Sequence, residues 1–345
     1  MTLHLSLLLL AVAGAWWGVG LTRRYALRRL IDLPNERSSH QQPTPRGGGL
    51  GLTFAHLGVM TVAMLLTIVQ PDLFKAVAVG GVAVATIGFL DDHGHVDARL
   101  RLLCHALAFS WAVWWFGGLP AVDFGWGPVN LGWLGSALLM LYLAWFLNLF
   151  NFMDGIDGIA AVQAVTMTVS AALLIAANSN DWGAGFPLWL LAASSLGFLW
   201  WNWPPAKIFM GDVGSGYLGY ALGVLALWTV VEGWLTPWVW LILGGTFLAD
   251  ATVTLAVRAL SRVSVATAHR SHAYQRLSRH WRSHRRVTLS FLFVNVVWLS
   301  PLAWIATKQP AFGMVASLIA LTPLFFTAVR LGAGRPGEIS DSLSR

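Results

Sequence analysis

The stretch NLFNFMDGIDGIA, residues 148–160, joins two apolar runs at about 131–149 and 158–177. A transmembrane helix needs about 20 mostly apolar residues, because the hydrocarbon core is about 30 Å thick and each residue adds about 1.5 Å. Over the whole chain 57% of the residues are hydrophobic and 11% are charged, whereas a soluble domain carries about 25% charged residues. The stretch and its flanks therefore predict an all-α, polytopic integral membrane protein.

Apolar runs separated by polar interruptions predict eleven transmembrane helices within one membrane-embedded domain, 1–345. No basic residue precedes the first run and TRRYALRRL follows it directly, so an uncleaved anchor is favoured over a signal peptide. Residues 332–345 are expected to form a short cytoplasmic tail. The predicted spans are about 3–21, 48–69, 74–90, 102–120, 131–149, 158–177, 185–203, 214–233, 237–257, 288–307 and 311–331.

The basic residues predict the orientation of these spans. With the N-terminus outside and the C-terminus in the cytoplasm, all 22 Lys and Arg residues except Lys75 and Lys308 fall on the cytoplasmic side. The net charge of +7 is therefore mainly an orientation signal, and no nucleic-acid partner is expected. The loops that carry Asp, Asn and His also face the cytoplasm in this topology, namely 32–49, 91–101, 148–158, 204–213 and 258–287.

Carboxylates are scarce in this chain, and several lie where predicted spans meet the cytoplasm. Acidic residues in or near a bilayer are costly and usually mark a functional path. In FLDDHGH, Asp91 and Asp92 repel each other unless a cation or a shared proton relieves them. The alternative is that this pair simply ends the span in water. The group comprises Asp91, Asp92, Asp97, Asp154, Asp157, Asp212 and, deeper in a span, Asp250.

In the opening stretch, Asn148, Asn151, Asp154 and Asp157 follow one another at intervals of three. A helix would place all four on one face, whereas unwinding at the glycines would add backbone carbonyls to the polar set. Oxygen groups of this kind suit Mg²⁺, which also keeps positions for water and substrate phosphate. The alternative is an ordinary helix end with an aspartate cap.

Two further segments carry polar groups. In KIFMGDVGSGYLGYALG, Asp212 lies between glycines at the start of a predicted span, where a helix N-terminus favours an anionic phosphate, while Gly219 is expected to serve helix packing. In HRSHAYQRLSRHWRSHRR, residues 269–276 suit an anionic substrate. Residues 282–286 are expected to be a solvated or headgroup-facing charge run.

Five stretches, in this order, resemble the polyprenyl-phosphate N-acetylhexosamine-1-phosphate transferases, the glycosyltransferase 4 family. They cover residues 32–277 and are DLPNERSSHQQPTPRGGG, FLDDHGHVDARLRL, NLFNFMDGIDGIA, FMGDVGSGYLG and HRSHAYQRL. The resemblance implies transfer of a sugar-1-phosphate from a UDP-N-acetylhexosamine to undecaprenyl phosphate, with release of UMP. It also implies a Mg²⁺ cofactor, with Mn²⁺ as an alternative, and an active site facing the cytoplasm at a bacterial inner membrane.

The resemblance implies roles for individual residues of this chain. Asp212 is expected to bind the metal with Asn151 nearby. Asp91 and Asp92 are expected at the phosphates, with Asp91 the favoured base, and His269 or His272 matches the family's cytoplasmic histidine region. The expected substrate contacts are Asn148, Asp154 and Asp157 toward the nucleotide, Phe209 stacked on uracil, Arg99 or Arg101 in place of a lysine that many relatives carry, and Arg270 and Arg276 in the last loop.

Departures from the family pattern bear on the substrate. The peptidoglycan enzyme carries three histidines where this chain has HRSHAYQRL, a form more like the branch that starts O-antigen or capsule chains. Two donors are compatible with this pattern, UDP-GlcNAc and a 6-deoxy analogue such as UDP-FucNAc or UDP-QuiNAc. The sequence is also compatible with either a monomer or a homodimer. The alternative from another class is a transporter that uses Asp154 and Asp157, which should show ionisable groups near the bilayer midplane and often two related halves. The sequence shows no repeat, and among its candidate carboxylates only Asp250 lies deep.

Overall fold

The computed structural model describes residues 2–34, 42–262 and 269–335, so residues 35–41 of the first matched stretch and 336–345 of the expected tail lie outside the described residues. The first helices are α1 Thr2–Arg29, α2 Gly49–Leu65, α3 Pro71–His93, α4 Ala98–Phe116, α5 Gly132–Met153, α6 Ile159–Ser179 and α7 Phe186–Asn202. The remaining helices are α8 Asp212–Val231, α9 Pro237–Leu243, α10 Gly245–Leu260, α11 Ala273–Trp281, α12 His284–Val294, α13 Ser300–Lys308 and α14 Gly313–Arg330. A π-helical turn, Asn295–Leu299, joins α12 to α13, and a 3₁₀ turn, Pro310–Phe312, precedes α14.

Within the described ranges the strands form only two short antiparallel pairs. β1 (Ile31–Asp32) pairs with β2 (Thr44–Pro45), and β3 (Val122–Asp123) pairs with β4 (Pro128–Val129). The predicted all-α, polytopic membrane fold is thus confirmed.

Each of the eleven predicted spans overlaps a helix or a pair of helices. Seven helices are long and apolar enough to cross a membrane, and the count is eight if α9 and α10 form one span. These two helices meet at a bend of 78°, and α2 is apolar but only 17 residues long. Among the described residues, length and composition thus support seven or eight spans, and the count of eleven and the orientation stay predictions.

Helix α8 lies at the centre of the helix packing and is almost entirely buried. It contacts α3 and α5 most extensively and also α2 and α4. A Cβ atom on Gly219 would lie 2.6 Å from Cα of Leu147 in α5, which is too close for any side chain. The prediction that Gly219 serves helix packing is therefore confirmed.

The contacts of α8 bring distant parts of the chain to one end of the protein. The N-terminus of α8 meets the C-terminal end of α3, where the main-chain N–H of Asp212 donates to Oδ1 of Asp92 over 3.1 Å. The C-terminal part of α5 lies alongside, since Ser215 Oγ of α8 donates a hydrogen bond to Oδ1 of Asn151. The short amphipathic helix α11 packs against α10 and α12 close to the same end. These helix ends form the site described next.

Candidate active site

A cavity of about 600 Å³ lies among the C-terminal ends of α3 and α5, the N-terminal parts of α4 and α8, and the start of α11. It contains seven of the residues singled out from the sequence: Asp91, Arg101, Asn148, Asn151, Asp212, His269 and His272. We call it the carboxylate cavity. Three further polar side chains that were not singled out individually from the sequence also line it, His105, Tyr274 and Gln275. His105 could have been found, because it follows Arg101 by four residues and so lies one turn along α4.

Asp91 links α3 to α4 and α8 within this cavity. Its Oδ2 lies 2.6 Å from Nη1 of Arg101, and its Oδ1 accepts a hydrogen bond of 2.8 Å from the main-chain N–H of Val96. The carboxyl group is also in hydrogen-bonding contact with that of Asp212. Two touching carboxyl groups require a shared proton or a cation between them, so this contact marks a site for positive charge.

Asp92 lies outside the lining of the carboxylate cavity, although it follows Asp91 directly. It is buried, and its two oxygens accept hydrogen bonds of 3.1 Å each from the main-chain N–H groups of Asp212 and Val213. Gly211, which precedes α8, has φ 75°, and a Cβ there would lie 2.6 Å from Oδ2 of Asp92. Asp92 therefore caps α8 and holds the helix start that carries Asp212.

The four polar residues of the opening stretch do not share one helical face, because α5 ends at Met153. Asn148 and Asn151 lie on α5 and line the carboxylate cavity. Asp154 follows the helix directly and is half-buried; burial, with smaller effects from the carboxylates of Asp212, Asp92 and Asp157, raises its pKa well above the ordinary value. The chain therefore leaves the helix after Met153, as the alternative with unwinding at the glycines predicts, and no continuous helix carries all four residues.

Asp157 belongs to a second cavity of about 840 Å³. Its Oδ1 lies 3.2 Å from Nδ1 of His284, and its Oδ2 accepts a hydrogen bond of 3.0 Å from the main-chain N–H of Ala206. Phe209, the side chain predicted to stack on uracil, lines the same cavity. So do three arginines from α11, α12 and the turn between them, Arg279, Arg282 and Arg285. We call it the arginine cavity.

Arg282 and Arg285 are exposed, as expected for the predicted charge run, but they also border this arginine cavity. Nothing in the sequence indicated the pairing of His284 with Asp157, because the two residues are 127 positions apart.

Both candidate histidines of the last loop line the carboxylate cavity. The rings of His269 and His272 stack with centroids 5.0 Å apart. Burial, with smaller effects from His272 and Arg258, lowers the pKa of His269 to about 4, so its imidazole is neutral near pH 7. His272 is buried at the start of α11, where its Nδ1 lies 3.1 Å from Oδ1 of Asp250.

Three arginines predicted to contact substrate line neither cavity. Arg99 is exposed in the first turn of α4, and Arg270 is exposed in the loop before α11. Arg276 is buried, with its Nε donating to the main-chain oxygen of Leu331 over 2.7 Å. The last carbonyl groups of a helix lack partners within it, so Arg276 ties α11 to the end of α14.

The residues of the carboxylate cavity fit a magnesium ion. Among the described residues no group of three or more His, Cys, Asp or Glu side chains is arranged to hold a metal by itself. Mg²⁺ is usually held by one or two carboxylates together with water and substrate phosphates, and it prefers oxygen ligands. The touching carboxyl groups of Asp91 and Asp212, with Asn151 on the same cavity wall, supply this kind of donor set.

Comparison with known proteins identifies the family of the chain. Residues 74–230 match the sequence profile of Glycosyl transferase family 4. The decaprenyl-phosphate N-acetylglucosaminephosphotransferase of Mycobacterium tuberculosis (strain CDC 1551 / Oshkosh) is 30% identical over 341 residues, which are 88% of this chain and 79% of that protein. The chain belongs to glycosyl transferase family 4.

Two other relatives are similarly distant. A probable undecaprenyl-phosphate N-acetylglucosaminyl 1-phosphate transferase of Bacillus subtilis (strain 168) is 28% identical over 275 residues, covering 78% of this chain and 75% of that protein. A phospho-N-acetylmuramoyl-pentapeptide-transferase of Synechococcus elongatus (strain ATCC 33912 / PCC 7942 / FACHB-805) is 32% identical over 274 residues, covering 73% and 70%. The family predicted from the five stretches is thus confirmed.

The family 4 segment contains the carboxylate and amide side of the cavity, including Asp91, Arg101, Asn151 and Asp212. His269 and His272 come from the chain beyond that segment. Together with the apolar helices, the bacterial relatives support a membrane-embedded bacterial protein of this family.

Proposed function

We propose that this chain transfers an N-acetylhexosamine-1-phosphate from a UDP-sugar to undecaprenyl phosphate, releasing UMP and starting a lipid-linked surface polysaccharide such as an O-antigen or capsule. The observation that carries the proposal is the contact of Asp91 with Asp212 beside Arg101, in a cavity formed at helix ends. The relatives from Bacillus subtilis and Mycobacterium tuberculosis are named for transfer of N-acetylglucosamine phosphate with a polyprenyl phosphate, which supports the same class of reaction.

In this reaction an oxygen of the lipid phosphate forms a new bond to the phosphorus that bears the sugar, and the bond from that phosphorus to UMP breaks. Such phosphoryl transfers depend mainly on positioning and on neutralising charge. Mg²⁺, held by Asp212 with Asn151, would neutralise the phosphate oxygens when bound. Asp91 is held by Arg101 and Val96 and would take the proton of the lipid phosphate, while Arg101 offsets the charge of the incoming phosphate.

The two cavities suggest how the donor is divided between them. Phe209 and Asp157 lie in the arginine cavity, which we assign to the uridine part of the donor. The phosphates and the lipid phosphate then occupy the carboxylate cavity. The carboxylates of Asp212 and Asp157 both contribute to the raised pKa of Asp154, which suits a residue between the two subsites.

The proposed site faces the cytoplasm at the inner membrane. A lipid phosphate and a soluble nucleotide sugar can meet only at a membrane surface, and the UDP-sugar is a cytoplasmic metabolite. The positive-inside rule supports the cytoplasmic face, because the candidate site residues lie in the predicted loops that carry most of the arginines.

UMP release from a panel of UDP-sugars tests the function. The full-length protein is incubated with undecaprenyl phosphate, Mg²⁺ and either UDP-GlcNAc, a UDP-6-deoxy-N-acetylhexosamine, or UDP-N-acetylmuramoyl-pentapeptide. We expect release with one of the first two, and the third covers the donor class named for the Synechococcus elongatus relative. Absence of turnover with every donor would favour the transporter, although the gathering of the site carboxylates at helix ends argues against a midplane ion path.

A further inference from the structure

Asp250 is a buried carboxylate on α10 that lines neither cavity. Its Oδ1 accepts hydrogen bonds from Nδ1 of His272 over 3.1 Å, from the main-chain N–H of Ala273 over 2.9 Å and from Oγ1 of Thr254 over 3.1 Å. Its Oδ2 accepts from the main-chain N–H of Tyr274 over 2.8 Å. Burial of a polar group is tolerable only where donors replace water, so these four donors account for the position of Asp250 in an apolar helix.

The hydrogen bond to Asp250 determines which nitrogen of His272 carries the proton. A carboxylate oxygen accepts hydrogen bonds and does not donate them, so Nδ1 of His272 must be the donor. The other ring nitrogen, Nε2, is then the one left for a ligand, and His272 lines the carboxylate cavity with Asp91 and Asp212.

The surroundings of the His272 ring restrict its rotation. The ring of His269 stacks on it with centroids 5.0 Å apart and planes inclined by 25°, and the ring of Phe152 stacks at 6.3 Å and 29°. The main-chain N–H of His272 donates to Oε1 of Gln275 over 3.3 Å. Both the ring and the backbone at this position are therefore held, and Asp250 contacts the imidazole directly at Nδ1.

We propose that Asp250 is a positioning residue for the transfer reaction and that it acts through His272. Its carboxylate fixes the tautomer and orientation of the imidazole, so that Nε2 is left as the nitrogen that accepts a hydrogen bond from a hydroxyl group of the substrate. The inference rests on the proposed function.

The substitution D250N tests this role in the UMP-release assay. Asparagine offers one acceptor oxygen in place of two, so the Nδ1–H of His272 competes for it with the N–H groups of α11, and an amide N–H₂ that faces the ring opposes the Nδ1–H tautomer. We expect kcat to fall about 10- to 100-fold, the range for removing the hydrogen-bond partner behind a metal-bound histidine, with a melting temperature lowered by no more than the loss of one main-chain acceptor causes. The matched control T254V removes a different donor to the same oxygen and should retain kcat.

A double-mutant cycle with H272A separates this role from simple capping of α11. If Asp250 acts through His272, D250N causes little further loss of kcat in the H272A background. Independent, additive losses would mean that Asp250 serves only the structure of α11, and the inference would be overturned.

Nitrogen-15 spectra of histidine-labelled full-length protein give a readout that needs no turnover. The resonance of His272, identified by its absence in H272A, should show a proton on Nδ1 in the wild type and on Nε2 in D250N. A wild-type resonance with the proton on Nε2 would refute the inference even in an active enzyme. If no UDP-sugar releases UMP, the proposed function fails, whereas the spectra still decide whether Asp250 sets the tautomer.

Discussion

At the scale of single residues, the contact between Asp91 and Asp212 predicts how activity depends on the metal. In the substitution D212N one of the two touching carboxylates loses its charge, so the site holds Mg²⁺ more weakly. We expect UMP release to fall at least about 100-fold, equivalent to about 2.7 kcal/mol of transition-state stabilisation. A titration of activity against Mg²⁺ measures the effect.

The matched control for D212N is D97N. Asp97 is exposed, caps α4 through the main-chain N–H of Arg99 and lines neither cavity, so this variant should keep the wild-type Mg²⁺ dependence. Full Mg²⁺-dependent activity in D212N would show that the metal is held elsewhere.

The lowered pKa of His269, about 4 against an ordinary value of 6.5, predicts a pH dependence of stability. As the pH falls below 6.5 the unfolded chain binds a proton at this histidine while the folded protein does not, so the free energy of unfolding decreases until the pH approaches 4. The substitution H269Q removes this difference. The melting temperature should therefore drop less between pH 7 and pH 5 in H269Q than in the wild type.

His280 provides the comparison for His269, because it is exposed on α11. The variant H280Q should show the wild-type drop in melting temperature. An equal drop in H269Q and the wild type would contradict the assigned pKa.

The sequence predicted which residues form the site better than it predicted where their side chains point. Asp91, Asn151 and Asp212 were expected to act together, and the structure gathers them in one cavity. Successive helical residues are about 100° apart, so Asp92 is directed at α8 rather than into that cavity. Which face of α3 meets α8 depends on packing along both helices, and local sequence does not contain that information. The burial of Arg276 against the end of α14 was hidden for the same reason.

At the scale of helices, the cap that Asp92 provides for α8 predicts a graded response to substitution. In D92A two main-chain N–H groups lose their acceptor, which should lower the free energy of unfolding by about 1 to 2 kcal/mol, the range for loss of a helix cap. In D92N one acceptor oxygen remains, so stability and UMP release should both stay closer to wild type. Melting temperatures in detergent and kcat for the two variants check this.

A catalytic charge on Asp92 would give a different pattern. D92N would then be as inactive as D92A while remaining more stable. The variant D97A, which removes the exposed cap of α4, shows how much a cap outside the site affects either quantity.

Hydropathy predicted where the helices lie but not where they bend. Every predicted span overlaps a helix, because apolar runs between polar segments identify membrane helices well. The 78° bend between α9 and α10 falls at Gly244 inside an apolar run, and the π-helical turn at Asn295–Leu299 falls inside another. Hydropathy is averaged along the chain and carries no information about the direction of a helix axis. The sequence therefore predicted neither the bend nor the π-helical turn.

At the scale of the whole molecule, the predicted topology depends on α4. This helix carries Arg99 and Arg101 in its first turn and is not among the seven helices that are long and apolar enough to span by themselves. If it did not cross, the loops on its two sides would face the same compartment. The side chains of His95 before α4 and Trp126 after it are both exposed, so these two positions can test the crossing.

Cysteine labelling at these positions decides both the crossing and the orientation. The native Cys104 is first replaced by serine, since it is the single cysteine of the chain, and H95C and W126C are then made separately. With eleven spans and the N-terminus outside, an impermeant maleimide applied to intact spheroplasts should label W126C, and H95C should react only after the membrane is opened. Labelling of both from one side would remove α4 from the spans. Labelling of H95C alone from outside would reverse the orientation and place Asp91, four residues away from it, where no cytoplasmic UDP-sugar could reach it.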